Sequence, residues 1–472
     1  MSGLFGSLTQ NIAALNAHSR SIEITGRNLA NVNNADYARQ RVLYADRGSI
    51  ETPNGAQSLG MEAKSIQQMR DVLLDKQVVR EKGLTGSLDA EQKTLAKAQA
   101  ALGESINRAA GADDVSASAY GLSAAITDFF NSFQAFAASP TDQGERQNLV
   151  QRTEIMTNRF NETDRRLAQL QSDIDVEINT DVDDINRLLT TIAGLNQQIG
   201  RLEITVPGSA VDLRDQRQAR IEELAGKLSI ETANTTGSPG QLDIIVRDAS
   251  NNPITLVSAT AVTNPVAFNG TQLTAGVSAT PIVLAGGSVK GRLDARDGAV
   301  QTLRDNLDAL AGQIGTAVNA AYNPTSSTGD LFTFTPGSAG GTLKLAAGVN
   351  AATLKASDGG AAGDNTIATA VAKLATKSFS VGGGDLINGT FTQHYAGVVS
   401  DLGRAVSAAN SRQEDQANIQ ALVVTQRQGL SGVSMDEEMA DLLKFQRAFQ
   451  ASSRVVNIVD SLLDVIVNRL GA

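Results

Sequence analysis

The C-terminal residues 431–472 contain a long apolar stripe with the spacing of a coiled coil. Its members follow one another at alternating steps of three and four residues: Leu442, Phe445, Phe449, Ser452, Val456, Val459, Leu463, Ile466 and Leu470. Ser434 and Glu437 form an S-x-x-E capping box, which predicts a helix that begins at about Met435. One stripe on one helix, roughly 40 Å long, needs another surface to cover it. We call these residues the C-terminal seam.

The N-terminus carries a second stripe with the same spacing, which we call the N-terminal seam. Its members are Phe5, Leu8, Ile12, Leu15, Ser19, Ile22, Gly26 and Leu29. The asparagines Asn28, Asn31, Asn33 and Asn34 then predict a turn before Tyr37. Because each end of the chain has a long stripe with nothing near it in sequence to cover it, we expect the two terminal helices to pair with each other and with neighbouring copies.

The middle of the chain alternates between helical and β-rich patterns. Helices are predicted over residues 60–110, 141–206, 211–228 and 291–322, and from about 392 to the C-terminus; four phenylalanines, Phe129, Phe130, Phe133 and Phe136, predict a core face before Pro140. From about Ile230, Val, Ile and Thr gather in short runs that predict strands. A second insert, rich in Gly, Ala, Ser and Thr, predicts strands at LFTFT and TLKLAA.

These patterns predict an α+β fold that is mainly α. The N- and C-terminal helices would pair in a coiled-coil-like inner domain, a bundle of long helices would form the middle, and β-rich inserts would lie outermost. The predicted domains are 1–45 with 431–472, 46–230 with 291–324 and 391–430, 231–290, and 325–390.

Composition excludes several classes of function. A formal charge of −10 without clustered Lys and Arg argues against a nucleic-acid partner, and the absence of cysteine excludes disulfides and thiol chemistry. His18 and His394 do not form an H-E-x-x-H pair, and no P-loop is present. No apolar run is long enough for membrane insertion, and the N-terminus lacks the pattern of an ordinary signal peptide. We therefore predict no catalytic, cofactor-binding or metal-binding residues and no enzymatic activity.

Both termini resemble flagellar axial proteins, the rod, hook and junction subunits that stack helically. The resemblance rests on residues 28–33 (NLANVN) with 37–40 (YARQ), and on 431–438 (SGVSMDEE) with 445–451 (FQRAFQA). In the interior, residues 211–217, 291–297, 318–319 and 363–365 are similar to the family of hook-associated protein 1. The chain departs from the family at Asn34-Ala35-Asp36, where Thr-Pro-Gly is usual, and at Phe445 and Phe449, which are often tyrosine.

The resemblance implies an extracellular structural subunit of the bacterial flagellum, joining hook to filament and exported by the flagellar type III machinery without a cleaved signal peptide. The implied partners are further copies in a ring, the hook protein, the second hook–filament junction protein, and a cytoplasmic export chaperone. The apolar members of both seams would pack subunits together, Asn28, Asn31, Asn33 and Tyr37 would shape the turn, and Ser434 and Glu437 would cap the last helix. Two alternatives remain open: another axial protein of hook or flagellin type, or a secreted hydrolase on a flagellar scaffold.

Overall fold

A computed structural model describes residues 2–52, 55–103, 121–326, 329–361 and 363–468. Within these ranges the α-helices are α1 Ser2–Ala30, α2 Val72–Leu102, α3 Leu122–Ala138, α4 Gln143–Glu203, α5 Val211–Lys227, α6 Ser288–Asp294, α7 Gln301–Tyr322, α8 Ala339–Thr342, α9 Thr366–Lys373, α10 Phe391–Ser431 and α11 Met435–Asn468. A π-helical turn, Ala295–Val300, joins α6 to α7. Leu470 of the C-terminal seam lies outside the described residues.

The strands form small antiparallel sheets. They are β1 Gln40–Asp46, β2 Ser49–Thr52, β3 Gly55–Ser58, β4 Met61–Gln68, β5 Glu231–Asn234, β6 Leu242–Arg247, β7 Pro253–Ser258, β8 Ala261–Val262, β9 Val266–Phe268, β10 Leu273–Ala275, β11 Thr280–Pro281, β12 Phe332–Thr333 and β13 Lys344–Leu345. The largest sheet has the order β5-β6-β7-β8. The prediction of a mainly α, α+β fold with β-rich inserts is confirmed.

One element was predicted wrongly. Residues 60–70 were assigned to a helix, whereas Met61–Gln68 is a strand that pairs with β1 in a hairpin. The sequence of β4, MEAKSIQQ, contains several good helix formers, yet its less exposed residues alternate along the strand. Pairing with β1 across the β2–β3 hairpin overrides that local preference, because strand pairing depends on a partner some twenty residues away.

The chain divides into two compact units. The first unit contains Met1–Gly86, Asp181–Gly287 and Gln416–Ala472, and the second contains Ser87–Thr180 and Ser288–Asp415. Both units are assembled from separate stretches of chain, and helices α2, α4 and α10 each contribute residues to both. The predicted division into four domains stays a prediction.

The core of the second unit is built on the phenylalanine face of α3. Phe129, Phe130, Phe133 and Phe136 are buried, as predicted. The ring of Phe129 meets that of Phe133 edge-on, with centroids 5.2 Å apart, and Phe130 stacks on Phe391 of α10 at 5.4 Å. The start of α10 is thereby fixed to α3.

In the first unit, α2 and α5 approach closely at a pair of glycines. A Cβ added to Gly86 would lie 2.2 Å from the carbonyl oxygen of Gly226, whereas a Cβ on Gly226 would meet no atom within 4 Å. Gly86→Ala therefore forces the two backbones apart, and we expect it to lower the free energy of unfolding by about 1–3 kcal/mol. The matched control Gly226→Ala should be neutral or stabilising by up to about 1 kcal/mol. Urea denaturation followed by circular dichroism measures both, and equal effects would contradict the described contact.

Candidate subunit interface at the paired terminal helices

The two terminal helices pack against each other in the first unit. Helix α11 begins at Met435, as the S-x-x-E pattern predicted. In the part of the C-terminal seam that is described, Val459 is buried, Phe449 is exposed, and the other seam residues are half-buried: Leu442, Phe445, Ser452, Val456, Leu463 and Ile466. The seam is therefore the most covered face of α11, and its cover within one chain is incomplete.

The N-terminal seam is covered still less. Leu8, Leu15, Ile22 and Leu29 are half-buried, while Phe5 and Ile12 are exposed. A different face of α1 is buried, formed by Ala17, Ser21, Ile24, Thr25 and Asn28. Ser21 and Asn28 bond to residues of β1, so the hairpin covers part of this face. The hairpin was not predicted, and this second packing face of α1 was missed with it.

Helix α11 also carries an exposed apolar stripe on the face next to the C-terminal half of its seam. Val455, Ile458, Leu462 and Val465 follow at steps of three, four and three residues, and Ile458 and Leu462 are 60% and 48% exposed. We call these four residues the outer stripe. An uncovered apolar stripe of this length on a described surface is typical of a protein–protein contact. The spacing of the outer stripe is present in the sequence, but it was not predicted, because the adjacent seam has the same spacing over a longer stretch.

The asparagine-rich turn is organised by the side chain of Asn28. Its Oδ1 accepts hydrogen bonds from the hydroxyl of Tyr37 at 2.8 Å and from the backbone N–H of Gln40 at 3.0 Å. Its Nδ2 donates to the carbonyl of Gln40 and to Oε2 of Glu438, both at 2.9 Å. One amide therefore joins α1, β1 and α11. Burial and the nearby carboxylates of Asp212 and Asp215 raise the pKa of Tyr37, so its hydroxyl stays a donor at neutral pH.

The other turn residues have smaller roles. Asn31 Nδ2 donates to the carbonyl of Arg27 at 3.0 Å, and its Oδ1 accepts from Nδ2 of Asn34 at 3.3 Å. Asn33 is exposed. Oδ1 of Asn34 accepts from the N–H of Asp36 at 3.1 Å, which forms an Asx turn at this position.

Arg39 joins the turn to the start of α11. Its guanidinium lies 2.6 Å from Oε2 of Glu437, 2.7 Å from Oε1 of Glu438 and 3.6 Å from Asp441. Burial acts to lower the pKa of Arg39, but the Glu438 and Glu437 carboxylates outweigh it and raise that pKa. The backbone N–H of Arg39 also donates to the carbonyl of Ser431 at 2.8 Å.

The predicted cap is only partly tested by these contacts. The carbonyl of Ser434 accepts the N–H of Glu438 at 3.0 Å, while the Glu437 side chain binds Arg39. The capping box at Ser434 and Glu437 therefore stays a prediction. Sequence reasoning missed Arg39 as a site residue, although a basic residue beside the turn and three consecutive acidic residues at 436–438 carried the signal.

A buried network of ion pairs extends from the turn into the rest of the first unit. Arg70 lies 2.7 Å from Asp215 and 3.1 Å from Asp75. The second oxygen of Asp215 accepts the N–H of Ala38 at 3.3 Å. Burial raises the pKa of both Asp75 and Asp215, whereas their charges outweigh the effect of burial on Arg70 and raise its pKa.

The network ends at Glu222 of α5. Arg427 of α10 bonds to one oxygen of Glu222, and the ammonium of Lys82 lies 2.8 Å from the other. Burial acts to raise the pKa of Glu222, but Lys82 and Arg427 outweigh it and lower that pKa. The ion pairs around Arg70 and Glu222 connect α2, α5 and α10 to the segment that carries the turn, and so position the terminal helices.

Asn28→Ala tests whether the side-chain amide of Asn28 holds α1, β1 and α11 together. The substitution leaves the buried backbone groups of Gln40 and one oxygen of the Glu438 carboxylate without their partner, so we expect it to lower the free energy of unfolding by about 2 kcal/mol. The matched control is Asn33→Ala, at an exposed asparagine of the same turn, with an expected change within about 0.5 kcal/mol. Denaturant titration compares the two; similar losses would refute the central role of Asn28.

Similar proteins were found for the whole chain. The family model described as flagellar hook-associated protein FlgK helical domain matches residues 113–329, and that of the flagellar basal body rod FlgEFG protein C-terminal matches 426–470. Flagellar hook-associated protein 1 of Bacillus subtilis is 28% identical, over 100% of this chain and 99% of its own length. The Escherichia coli protein of the same name is 23% identical, over 97% and 98%.

A solved structure, the flagellar hook junction protein FlgK from Burkholderia pseudomallei, is similar with a TM-score of 0.45 and 21% identity, over 55% of this chain and 46% of that chain. The rod-type match covers the whole of α11, so this helix of the terminal pair is similar to the C-terminal part of flagellar basal body rod proteins. The match to the FlgK helical domain, over residues 113–329, and the full-length relatives make the chain similar to flagellar hook-associated proteins of the FlgK family.

Proposed function

We propose that this protein is a structural subunit of the bacterial flagellum that joins hook to filament by helical self-assembly of its terminal helices. The observation that carries the proposal is the α1–α11 pair, whose apolar residues are only partly covered within one chain. Phe5, Ile12, Phe449 and the outer stripe are exposed. Covering them against neighbouring subunits would remove apolar surface from water at about 25 cal/mol per Å².

We propose that both seams and the outer stripe are the subunit-packing surface. The half-buried seam residues would complete their burial when a neighbouring helix pair packs against them, in the manner of knobs entering holes. The turn residues 28–37 and the ionic network would fix the angle of the helix pair relative to the rest of the first unit. No described helix has the length and apolar character needed to cross a membrane.

The partners follow from the proposed role. We propose that copies of this chain form a ring, that the hook protein contacts it on one side and the second junction protein on the other, and that a cytoplasmic chaperone covers α11 before export. The location would be the extracellular flagellum, reached through the flagellar type III machinery without a cleaved signal peptide. The relatives that the chain matches are hook-associated proteins, which supports these proposals and a role without catalysis.

The proposal is tested by electron microscopy of cells that lack this protein. We expect hooks without attached filaments, with unpolymerised flagellin in the culture medium, and restoration of filaments when the wild-type chain is supplied from a plasmid. Cells of the deletion strain with filaments of normal number and attachment would overturn the proposal. Loss of the hooks themselves would instead indicate a rod or hook subunit.

A further inference from the structure

An open cleft with a volume of about 770 Å³ lies in the first unit, away from the terminal helices' exposed stripes. Its walls are strand β4, the beginning of α2, one face of α5, and the stretch from β5 to the start of β6. A cleft of this size is large enough for a small ligand or a few residues of an extended peptide.

The charges that line this cleft are mainly basic. Arg70, Lys76, Arg214 and Arg217 contribute to the lining, against the single carboxylate of Asp75. Two of the arginines are neutralised inside the fold, because Arg70 pairs with Asp75 and Asp215, and Arg214 lies 2.6 Å from the buried carboxylate of Glu203. Arg217 and the exposed Lys76 therefore determine the sign of the net charge in the cleft.

Arg217 is a buried cation whose hydrogen-bond partners are neutral. Its side chain belongs to a residue that is only 6% exposed, and its Nη1 donates to Oδ1 of Asn196 at 2.8 Å and to the carbonyl of Gly240 at 2.6 Å. Burial and the charge of Arg214 outweigh the nearby carboxylate of Glu203 and lower the pKa of Arg217 to about 10, so it is still protonated at neutral pH. A buried guanidinium whose partners are neutral gains strongly from a carboxylate, which can form charge-assisted, bidentate hydrogen bonds with it.

The cleft also has an open strand edge. β5 is an outer strand of the sheet β5-β6-β7-β8 and pairs only with β6 among the described strands. The N–H of Thr235 points toward β6 and donates to the carbonyl of Gln241 at 3.2 Å. In an antiparallel pair, successive residues of a strand direct their backbone groups alternately toward the partner strand and away from it. The backbone groups of Asn234 and Thr232 therefore point away from β6, to the open side. Both residues line the cleft. An edge of this kind accepts an added strand through main-chain hydrogen bonds.

We propose that the cleft binds an extended segment of another polypeptide, which adds to the edge of β5 and places an Asp or Glu carboxylate against Arg217. The strand edge supplies main-chain hydrogen bonds, and the guanidinium selects the acidic side chain. This peptide site goes beyond subunit assembly through the terminal helices and does not depend on it.

The site is tested on the full-length protein with two fluorescently labelled, capped pentapeptides, Val-Thr-Glu-Thr-Val and Val-Thr-Gln-Thr-Val. Fluorescence anisotropy should show binding of the Glu peptide at least tenfold tighter than of its neutral analogue. Arg217→Gln should abolish that preference, whereas Arg217→Lys should retain part of it because the charge remains. Arg220→Gln is the matched control, because Arg220 is an exposed arginine of the same helix that pairs with Glu223 and does not line the cleft.

A second variant separates the strand edge from the charge. Thr232→Pro removes a main-chain donor from the open edge of β5 and should weaken both peptides by a similar factor, leaving the preference for Glu intact. Circular dichroism melts confirm that each variant is folded. Failure of the Glu peptide to bind, equal affinity for the two peptides, an Arg220→Gln effect equal to that of Arg217→Gln, or binding of inorganic phosphate with neither peptide bound would each overturn the proposal.

Discussion

Removal of residues 435–472 is expected to leave a folded, soluble protein that no longer enters flagella. The deletion removes α11 with its seam and outer stripe, together with the carboxylates that bind Arg39 and Asn28. The second unit contains no part of α11, and the ionic network from Arg70 to Glu222 is retained. Loss of the surface proposed for subunit packing should therefore abolish assembly without unfolding the rest.

Two measurements check this expectation. Circular dichroism melting should show that the truncated protein still unfolds cooperatively, and cells that produce it as their sole copy should have hooks without filaments. The full-length chain expressed from the same plasmid is the control for export and level. Normal filaments with the truncated protein would refute the role of α11, and a truncated protein that is unfolded would refute the independence of the second unit.

Arg70→Met is expected to cause the largest loss of stability among single substitutions in the first unit. The guanidinium neutralises two carboxylates in a buried environment, so its removal leaves Asp75 and Asp215 without their main cation. Removing one partner from such a buried network lowers the free energy of unfolding by about 3–5 kcal/mol. Because Asp215 also accepts the N–H of Ala38, we expect the segment that carries the turn to loosen with it.

The matched control is Arg220→Met in the same unit. Arg220 and its partner Glu223 are both exposed, and an exposed ion pair contributes about 0–1 kcal/mol. Urea denaturation should separate the two variants by several kcal/mol. A triple variant, Arg70→Met with Asp75→Leu and Asp215→Leu, should recover much of the loss because no unpaired charge stays buried. A loss for Arg70→Met no larger than that for Arg220→Met would contradict the described network.

The long helices could be predicted from the sequence because their signals are local. Pro207-Gly208 marks the end of α4, the phenylalanines of α3 lie on one buried face, and Ser434 with Glu437 marks the start of α11. Each signal lies within a turn or two of the boundary or face that it predicts. The change in composition near Ile230 similarly predicts the β-rich insert, because Val, Ile and Thr favour strands.

The features that were missed depend on contacts between residues far apart in sequence. The hairpin of β1 and β4 was hidden by helix-forming residues in β4, and without it the buried face of α1 at Ala17, Ser21 and Ile24 had no visible partner. Arg70 meets Asp215, and Arg427 meets Glu222, across long separations that carry no periodic signal. Abundant charges of both signs offer too many possible pairs for spacing to select the real ones.

The central claim is that exposed apolar residues of the terminal helices pack one subunit against the next. Ile458→Glu combined with Leu462→Glu places two charges in the outer stripe, at positions exposed in the single chain. Its stability should change by no more than about 0.5 kcal/mol per site, because little native packing is lost. The matched control, Gln446→Glu with Gln450→Glu, adds the same two negative charges at exposed polar positions of the same helix.

The most direct measurement is the number of filaments per hook, counted by electron microscopy in cells that carry each variant as the sole copy. We predict hooks without filaments for the outer-stripe variant, although the protein is exported and folded, and normal filaments for the control. Filaments of normal number on cells with Ile458→Glu and Leu462→Glu would contradict the claim that this face packs against a neighbouring subunit.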